Sequence, residues 1–156
     1  MPKVYKIFGP GNQYVTAAKQ QVSLRDVAID MPAGPSEVEV LADETANPVF
    51  VAADLLSQAE HGVDSQAMLI TTSEKLMKEV EYEVQRQLAL LPRWEIAEKS
   101  LANSKLILVR DMDEAIALTN EYAPEHLIIE TKDYMELAER IVNAGSVFLG
   151  SLTPEI

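Results

Sequence analysis

The two histidines are the first residues to examine for chemistry, because each one directly follows a glutamate. The pairs are Glu60-His61 and Glu125-His126. Histidine titrates near neutral pH and is the commonest metal ligand in proteins. Since the chain has only 2 histidines beside 25 acidic residues, these positions are its best candidates for metal binding or proton transfer.

Gln58 and His61 are three residues apart in a segment with a helical pattern, so their side chains can converge on one ion. Glutamine is an uncommon zinc ligand, and a catalytic zinc usually has three protein ligands. The same spacing is also that of a polar helix end capped by Gly62. Spacing alone therefore leaves a metal site and a plain helix end open.

Glu125-His126 follows a proline and precedes an apolar segment, which predicts a helix-to-strand turn at the amino end of the strand. Ligand sites in open α/β sheets usually lie at the opposite, carboxyl ends, so an ordinary surface loop is the alternative. A glutamate beside a histidine can nevertheless divide proton transfer, with one activating water and the other taking a hydroxyl proton.

Several other residues have two interpretations. The segment Gly9-Pro10-Gly11-Asn12 lacks the spacing of the dinucleotide fingerprint, although it joins a strand to a helix whose free N–H groups suit a phosphate. An ordinary glycine turn is the alternative. Ser36 is either a substrate hydrogen-bond donor or the start of a strand. Tyr82 and Trp94 are predicted to be packing residues.

The composition indicates the general class of protein. A chain of 156 residues with 47% hydrophobic content predicts one main domain. A net charge of −12 argues against nucleic acid or an anionic membrane as a partner. The absence of cysteine excludes disulfides and thiolate zinc sites within the chain and fits a reducing cytoplasm. With no signal-peptide or bilayer-length apolar run, we expect a soluble, cytoplasmic protein.

Short β-rich segments alternate with helical patterns from residue 36 onward. The alternation predicts an α/β fold, a three-layer Rossmann-like domain over 36–156 with a mostly parallel five-stranded sheet. The predicted strands are 38–41, 67–71, 105–109, 127–129 and 146–149. The predicted helices are 47–59, 73–91 with a break at Pro92 before a piece ending at Ser100, 113–122 with Asp113 as cap, and 133–143.

The first 33 residues differ from the rest, since two strand-like segments, 4–8 and 27–29, flank a helical one, 13–22, and a linker-like Pro32-Ala33-Gly34-Pro35 follows. We expect residues 1–33 to be a short piece of a neighbouring domain. The abrupt start, and the end just after a strand, suggest an internal piece of a longer enzyme.

Motifs along almost the whole chain closely resemble the histidinol dehydrogenase family. The segments are Ile7-Phe8-Gly9-Pro10-Gly11-Asn12, Asp30-Met31-Pro32-Ala33-Gly34-Pro35-Ser36-Glu37, Leu56-Ser57-Gln58-Ala59-Glu60-His61-Gly62 with Asp64-Ser65-Gln66, Tyr122-Ala123-Pro124-Glu125-His126-Leu127, and Ala144-Gly145-Ser146-Val147-Phe148-Leu149-Gly150. The resemblance implies a zinc-dependent homodimer that oxidises L-histidinol through an aldehyde to L-histidine with NAD. It also implies that residues 1–33 end the NAD-side domain.

The resemblance also implies roles for single residues. Glu125 and His126 match the catalytic acid/base pair, and Asn12 matches an NAD contact. The zinc ligands would be Gln58 and His61, and the substrate contacts would be Ser36, Gln58, His61 and His126. Because the chain has no cysteine for a thiohemiacetal, we expect water to add to the aldehyde, with Glu125 as the base that activates it.

The family's other two zinc ligands are expected beyond Ile156, and most of its NAD contacts before Met1, so we expect this fragment to be inactive alone. Glu155 matches a family glutamate near the substrate. One alternative is a non-catalytic α/β scaffold or binding module. Another is a small metallohydrolase that uses Gln58, His61 and Glu125, which would need Asp54 or Asp64 as a further ligand.

Overall fold

The computed structural model describes residues 4–9, 13–25, 27–30 and 36–153. The chain divides into two compact units, Met1–Gly34 and Pro35–Ile156. In the first unit, helix α1 (Gln13–Ser23) connects two short strands that pair in parallel, β1 (Lys6–Ile7) and β2 (Ala28–Ile29). Residues 10–12, and with them the predicted NAD contact Asn12, lie outside the described residues, as does Glu155.

Asp30 connects the segment after β1 to helix α1 in the first unit. Asp30 accepts the backbone N–H of Gly9 at 2.8 Å and forms an ion pair with Lys19. Lys19 also donates to the carbonyl oxygen of Gly9 at 2.9 Å. The hydrogen bond from Lys19 holds the pKa of the Asp30 carboxyl below its usual value. Gly9 itself has a φ of 142°, which side chains rarely allow, so a glycine is favoured at this position.

The second unit is built on a five-stranded sheet in which every pairing is parallel, with strand order β5-β4-β3-β6-β7. The predicted α/β class and the parallel five-stranded sheet are therefore confirmed. The chain moves outward from β3 to β5 and then returns to β6 on the other side of β3. The strands are β3 (Glu37–Ala42), β4 (Gln66–Thr71), β5 (Lys105–Leu108), β6 (His126–Glu130) and β7 (Ser146–Leu149).

Helices cover both faces of this sheet and complete the three predicted layers. Alternate residues of β3 face opposite ways, so Val38 and Val40 pack with one group of helices and Leu41 with the other. Each of these side chains is fully buried, which stabilises the fold by about 1.5–3 kcal/mol apiece. The first group is α2 (Pro48–Ala59), α3 (Glu74–Leu88) and α4 (Trp94–Leu101), and the second is α5 (Met112–Tyr122) and α6 (Tyr134–Ala138).

Side-chain caps fix where three of these helices begin. Asn47 and Ser73 accept backbone N–H groups of the first turns of α2 and α3. The cap of α5 is Asp111, which accepts the N–H of Glu114 at 2.9 Å. The prediction that Asp113 is the cap was wrong, because Asp113 already lies inside the first turn.

Helix α6 is shorter than predicted, since it ends at Ala138 and not at residue 143. The reason is a competing acceptor on α5. The Asn120 Oδ1 atom accepts the backbone N–H groups of Val142 and Asn143 at 2.8 and 3.3 Å. These N–H groups are thus directed away from the helical pattern, and the chain leaves the helix early.

Two predicted packing residues are largely exposed instead. Tyr82 is 68% exposed, because the buried stripe of α3 consists of Leu76, Val80, Val84 and Leu88 and Tyr82 lies off that stripe. Trp94, the first residue of α4, is 47% exposed. Among the described residues, no helix has the length and apolar character that crossing a membrane requires.

Candidate active site

The predicted site residues of the second unit gather at the amino edge of the sheet. Ser36 directly precedes β3, and its carbonyl oxygen accepts the N–H of Gln66, the first residue of β4, at 3.2 Å. His126 begins β6, where it pairs with Val38 of β3 and with Ser146 of β7. Parallel register therefore brings Ser36 and His126 to the same edge of the sheet, two residues apart along the strands, although 90 positions separate them in the sequence.

The register also decides the face on which His126 lies. His126 and Ile128 share one face of β6, and Ile128 belongs to the core that includes α2. The imidazole packs at 73° against the ring of Phe148, with 6.2 Å between ring centroids. Phe148 packs against the same core. His126 is thus presented on the face of the sheet that α2 covers.

Gln58 and His61 lie where α2 returns toward the amino edge. The helix ends at Ala59. The spacing had predicted His61 on the helix, but His61 lies in the turn that follows it. The His61 N–H still bonds the Gln58 carbonyl oxygen at 3.1 Å, which forms one tight i to i+3 turn. Gln58 is buried and His61 is exposed, so the convergence of the two side chains on one ion stays a prediction. Glu60, and not Gly62, is the residue that caps the helix end.

The acidic pair Asp54 and Glu130 relates the position of α2 to that of β6. Asp54 of α2 lies beside Glu130, the last residue of β6, and burial together with the Asp54 carboxyl raises the pKa of Glu130. From Asp54 to the helix end at Ala59 the path rises about 8 Å. From Glu130 back to His126 the strand spans about 13 Å. The turn that carries His61 therefore lies on the side of α2 that faces the amino edge, where His126 begins β6.

Gln58 has the environment of a ligand whose partner is not protein. The side chain is 1% exposed, and neither Oε1 nor Nε2 has a hydrogen-bond partner among the residues that the structure describes. A buried, unpaired amide costs about 1–3 kcal/mol. A metal ion on Oε1 would satisfy that oxygen, and the exposed His61 would provide a nitrogen. No group of three His, Cys, Asp or Glu able to hold a metal occurs within residues 4–9, 13–25, 27–30 and 36–153.

Glu125 is carried by a constrained turn between α5 and β6. Ala123 ends the helix in the left-handed region with φ 55° and ψ 60°, and the buried Pro124 follows. The backbone carbonyls of Pro124 and Glu125 accept the N–H groups of Gly145 and Ser146 at 2.9 and 2.8 Å. The backbone of the turn is therefore fixed to β7, while the Glu125 side chain remains exposed to solvent.

A polar network on the α5 face of the sheet was not predicted. The Tyr122 hydroxyl bonds Gln66 Oε1 at 2.7 Å and Glu37 Oε2 at 3.1 Å, and Thr119 donates to Glu39 at 2.5 Å. Glu39 is fully buried. The signal in the sequence was a pair of glutamates, Glu37 and Glu39, that alternate with valines at the start of β3. A charged residue at a core position requires a polar partner, but the sequence did not indicate which one.

A cavity of the second unit lies at the opposite, carboxyl edge. Its volume is about 480 Å³, and its lining includes Asn47, Glu130 and Gly150. Ser36, Gln58, His61, Glu125 and His126 are all absent from that lining. Strand register, and not the presence of a cavity, is what brings Ser36 and His126 to the same edge of the sheet.

The whole sequence, residues 1–156, matches the family model described as Histidinol dehydrogenase. The chain belongs to the histidinol dehydrogenase family. It is 84% identical over 155 residues to the histidinol dehydrogenase of Bacteroides fragilis, which covers 99% of this chain and 36% of the relative. It is 58% identical over 153 residues to that of Haemophilus influenzae, again with 36% of the relative covered.

Solved structures agree with this membership. The crystal structure of histidinol dehydrogenase from Elizabethkingia anophelis superposes with a TM-score of 0.95 at 55% identity, covering 98% of this chain and 35% of that one. A γ-glutamyl phosphate reductase from Thermotoga maritima matches with a TM-score of 0.59 at 18% identity, which is a likeness of fold alone. The chain thus spans about a third of the length of its histidinol dehydrogenase relatives.

Family membership confirms the resemblance that the motifs predicted. The relatives are oxidoreductases by name. The roles predicted for Ser36, Gln58, His61, Glu125 and His126 remain predictions, as does the NAD-side role of residues 1–33. The structure adds that Ser36, Glu125 and His126 lie at the amino edge of the sheet, and that α2 carries Gln58 and leads to His61.

Proposed function

We propose that the enzyme containing this chain oxidises L-histidinol through L-histidinal to L-histidine with NAD, as the last steps of histidine biosynthesis. One observation carries the proposal. Gln58 is buried with its side-chain amide unpaired among the described residues, one turn from an exposed histidine and on the face of the sheet that presents His126. A domain that served only as a scaffold would gain stability by replacing this amide with an apolar side chain.

Zinc would be held in part by Gln58 Oε1 and an imidazole nitrogen of His61. Bound there, zinc supplies Lewis-acid chemistry and orients the amine and imidazole of the substrate. Ser36 and His126 lie at the amino edge of the sheet, two residues apart along the strands. Ser36 would donate a hydrogen bond to the substrate, and His126 would accept one. NAD supplies the hydride acceptor, and Asn12 is assigned to its binding.

Glu125 and His126 divide the proton transfers. His126 accepts the hydroxyl proton when the alcohol is oxidised to the aldehyde. Glu125 accepts a proton from the water that adds to the aldehyde, which forms the hydrate whose oxidation gives the acid. The exposed position of Glu125 gives it access to water, while the partly buried imidazole of His126 is oriented by Phe148.

A metallohydrolase is the less suitable alternative. A metallohydrolase that uses Gln58, His61 and Glu125 would need Asp54 or Asp64 as a further metal ligand. Asp54 lies beside Glu130 at the carboxyl end of β6, which is the edge opposite to that of Glu125. Among the described residues, Asp64 does not form a three-ligand group with His61 and Glu125. We further assign the enzyme to the cytoplasm and to a homodimer.

Full-length enzyme with the substitution Glu125→Gln tests the proposal. Removing a general base that acts in the transition state should lower turnover of L-histidinal to L-histidine by roughly 10²–10⁴-fold, with KM little changed. His126→Asn should also slow oxidation of L-histidinol. Glu121→Gln, an exposed position on α5, is the control and should retain wild-type turnover. Near-normal histidine formation by Glu125→Gln would assign water activation elsewhere.

A further inference from the structure

Tyr122 is the last residue of α5 and lies three positions before Glu125. Its ring is partly buried, and its hydroxyl reaches across to the first residues of β3 and β4. Gln66 Oε1 at 2.7 Å is the nearer acceptor, and Glu37 Oε2 lies at 3.1 Å. Gln66 is itself fixed, because its Nε2 donates to the carbonyl oxygen of Asn103 at 2.9 Å. The Tyr122 hydroxyl is therefore attached to a rigid part of the sheet edge.

A second contact holds the same end of α5. Thr119 lies one turn before Tyr122, and both side chains face β3, where they meet Glu39 and Glu37 respectively. Both Thr119 and Glu39 are fully buried. Two side chains one turn apart thus fix the helix end against two residues of one strand face, which restricts both its position and its rotation.

The turn that carries Glu125 is fixed from its other side by β7. Ser146 N–H bonds the Glu125 carbonyl oxygen at 2.8 Å, and Gly145 N–H bonds that of Pro124 at 2.9 Å. Only Ala123 separates Tyr122 from Pro124, the first residue held by these bonds. Both have restricted backbones, Ala123 at φ 55° and Pro124 by its ring. The backbone of Glu125 consequently depends on where the Tyr122 hydroxyl anchors the end of α5.

We propose that Tyr122 is a positioning residue for Glu125: its hydroxyl, bonded to the starts of β3 and β4, sets the turn that aims the Glu125 carboxylate at the reacting water. This inference rests on the proposed function of Glu125. Tyr122 touches no reacting group. It acts through the backbone of residues 123–125.

Kinetics of full-length enzyme with L-histidinal as substrate provide the first test. Tyr122→Phe removes only the hydroxyl and should lower kcat by about tenfold, with KM changed less than about twofold, since a displaced base loses rate more than affinity. In a Glu125→Gln background the same substitution should change kcat by less than about twofold, because residues that act as one unit are not additive. Tyr82→Phe, at an exposed tyrosine of α3, is the matched control and should retain wild-type kcat.

Equal tenfold losses in both backgrounds would show a general structural effect and overturn the proposal. Gln66→Met supplies a second variant, since it keeps the tyrosine and removes its nearer acceptor, and it should reproduce the kcat loss. If Glu125→Gln proves fully active, the proposed function of Glu125 fails. The position that Tyr122 gives to the Glu125 backbone is then tested by a measurement that does not depend on activity.

Nuclear magnetic resonance of the 156-residue chain tests the positioning role of Tyr122 without an activity measurement. The chain has 2 histidines, so each imidazole gives a separate signal. Tyr122→Phe should shift the backbone amide signals of Glu125 and Ser146 and the imidazole signals of His126, which sense the Phe148 ring, while His61 stays unchanged. Unmoved Glu125 and Ser146 signals, or equal shifts at His61, would overturn the role of Tyr122.

Discussion

Thr119 of α5 donates its hydroxyl hydrogen to the carboxylate of Glu39 on β3, with 2.5 Å between the two oxygens. Both residues are fully buried, and the other carboxylate oxygen of Glu39 has no hydrogen-bond partner among the described residues. Burial raises the pKa of Glu39 from 4.5 to about 7; the Thr119 bond opposes that shift and the charge of Glu37 adds to it. The sheet therefore contains an acid that titrates near neutral pH.

The first prediction concerns the pH dependence of stability. The folded chain binds the Glu39 proton more tightly than the unfolded chain, so the free energy of unfolding falls as pH rises from 4.5 to about 7. Glu39→Gln keeps an acceptor for Thr119 and removes the charge. It should stabilise the chain at pH 8 by about 2–3 kcal/mol and have little effect at pH 4.5. Urea unfolding of both chains measures this, with Glu121→Gln as an exposed control. An equal difference in unfolding free energy between the two chains at both pH values would refute the raised pKa of Glu39.

A second prediction follows from the close approach of Gly145 to Glu125. A Cβ atom added at Gly145 would lie 2.6 Å from the Glu125 carbonyl oxygen and 3.3 Å from its carbonyl carbon. Because the obstructing atoms are backbone, Gly145→Ala should displace the Glu125 turn and destabilise the chain by about 1–3 kcal/mol. Gly62→Ala is the control, since its nearest neighbour is a serine hydroxyl at 3.9 Å. Thermal unfolding compares the two, and equal melting temperatures for both variants would contradict the predicted clash.

The third prediction compares two glutamines near the amino edge of the sheet, the buried Gln58 and the partly buried Gln66. Gln58 has no partner for its amide within the described residues, whereas Gln66 bonds Tyr122 and Asn103. In metal-free buffer Gln58→Met should stabilise the chain by about 1–3 kcal/mol, since an unpaired amide is removed from the interior. Gln66→Met should instead destabilise it by about 1 kcal/mol, because two hydrogen bonds are lost. Destabilisation by Gln58→Met would indicate that its amide is satisfied in solution.

The fourth prediction concerns zinc. A complete structural zinc site contributes about 10–16 kcal/mol of binding free energy. With Gln58 and His61 as its ligands, the 156-residue chain should bind zinc with about half of that or less, and His61→Ala should remove the binding. Titration calorimetry measures both. Tight, stoichiometric binding that His61→Ala abolishes would mean that further residues of this chain complete the site.

Local sequence patterns determined the elements of this protein and its family. Apolar residues at periods of 2 and 3.6 placed each strand and helix of the sheet to within a few residues, apart from the end of α6. Asn47 and Ser73 marked helix starts because a cap and its N–H groups are adjacent in the chain. The motifs around Gln58, His61 and Glu125 identified the family for a similar reason, since each is a short continuous segment.

Only the tertiary structure decided which distant residues meet. Tyr122 finds its acceptors 56 and 85 positions away, and Thr119 meets Glu39 over 80 positions. Asn120 ends α6 by capturing N–H groups 22 and 23 positions further on. Such pairings depend on strand order, strand register and the face that each helix covers. These are settled by burial of the whole sheet and leave no local pattern in the sequence.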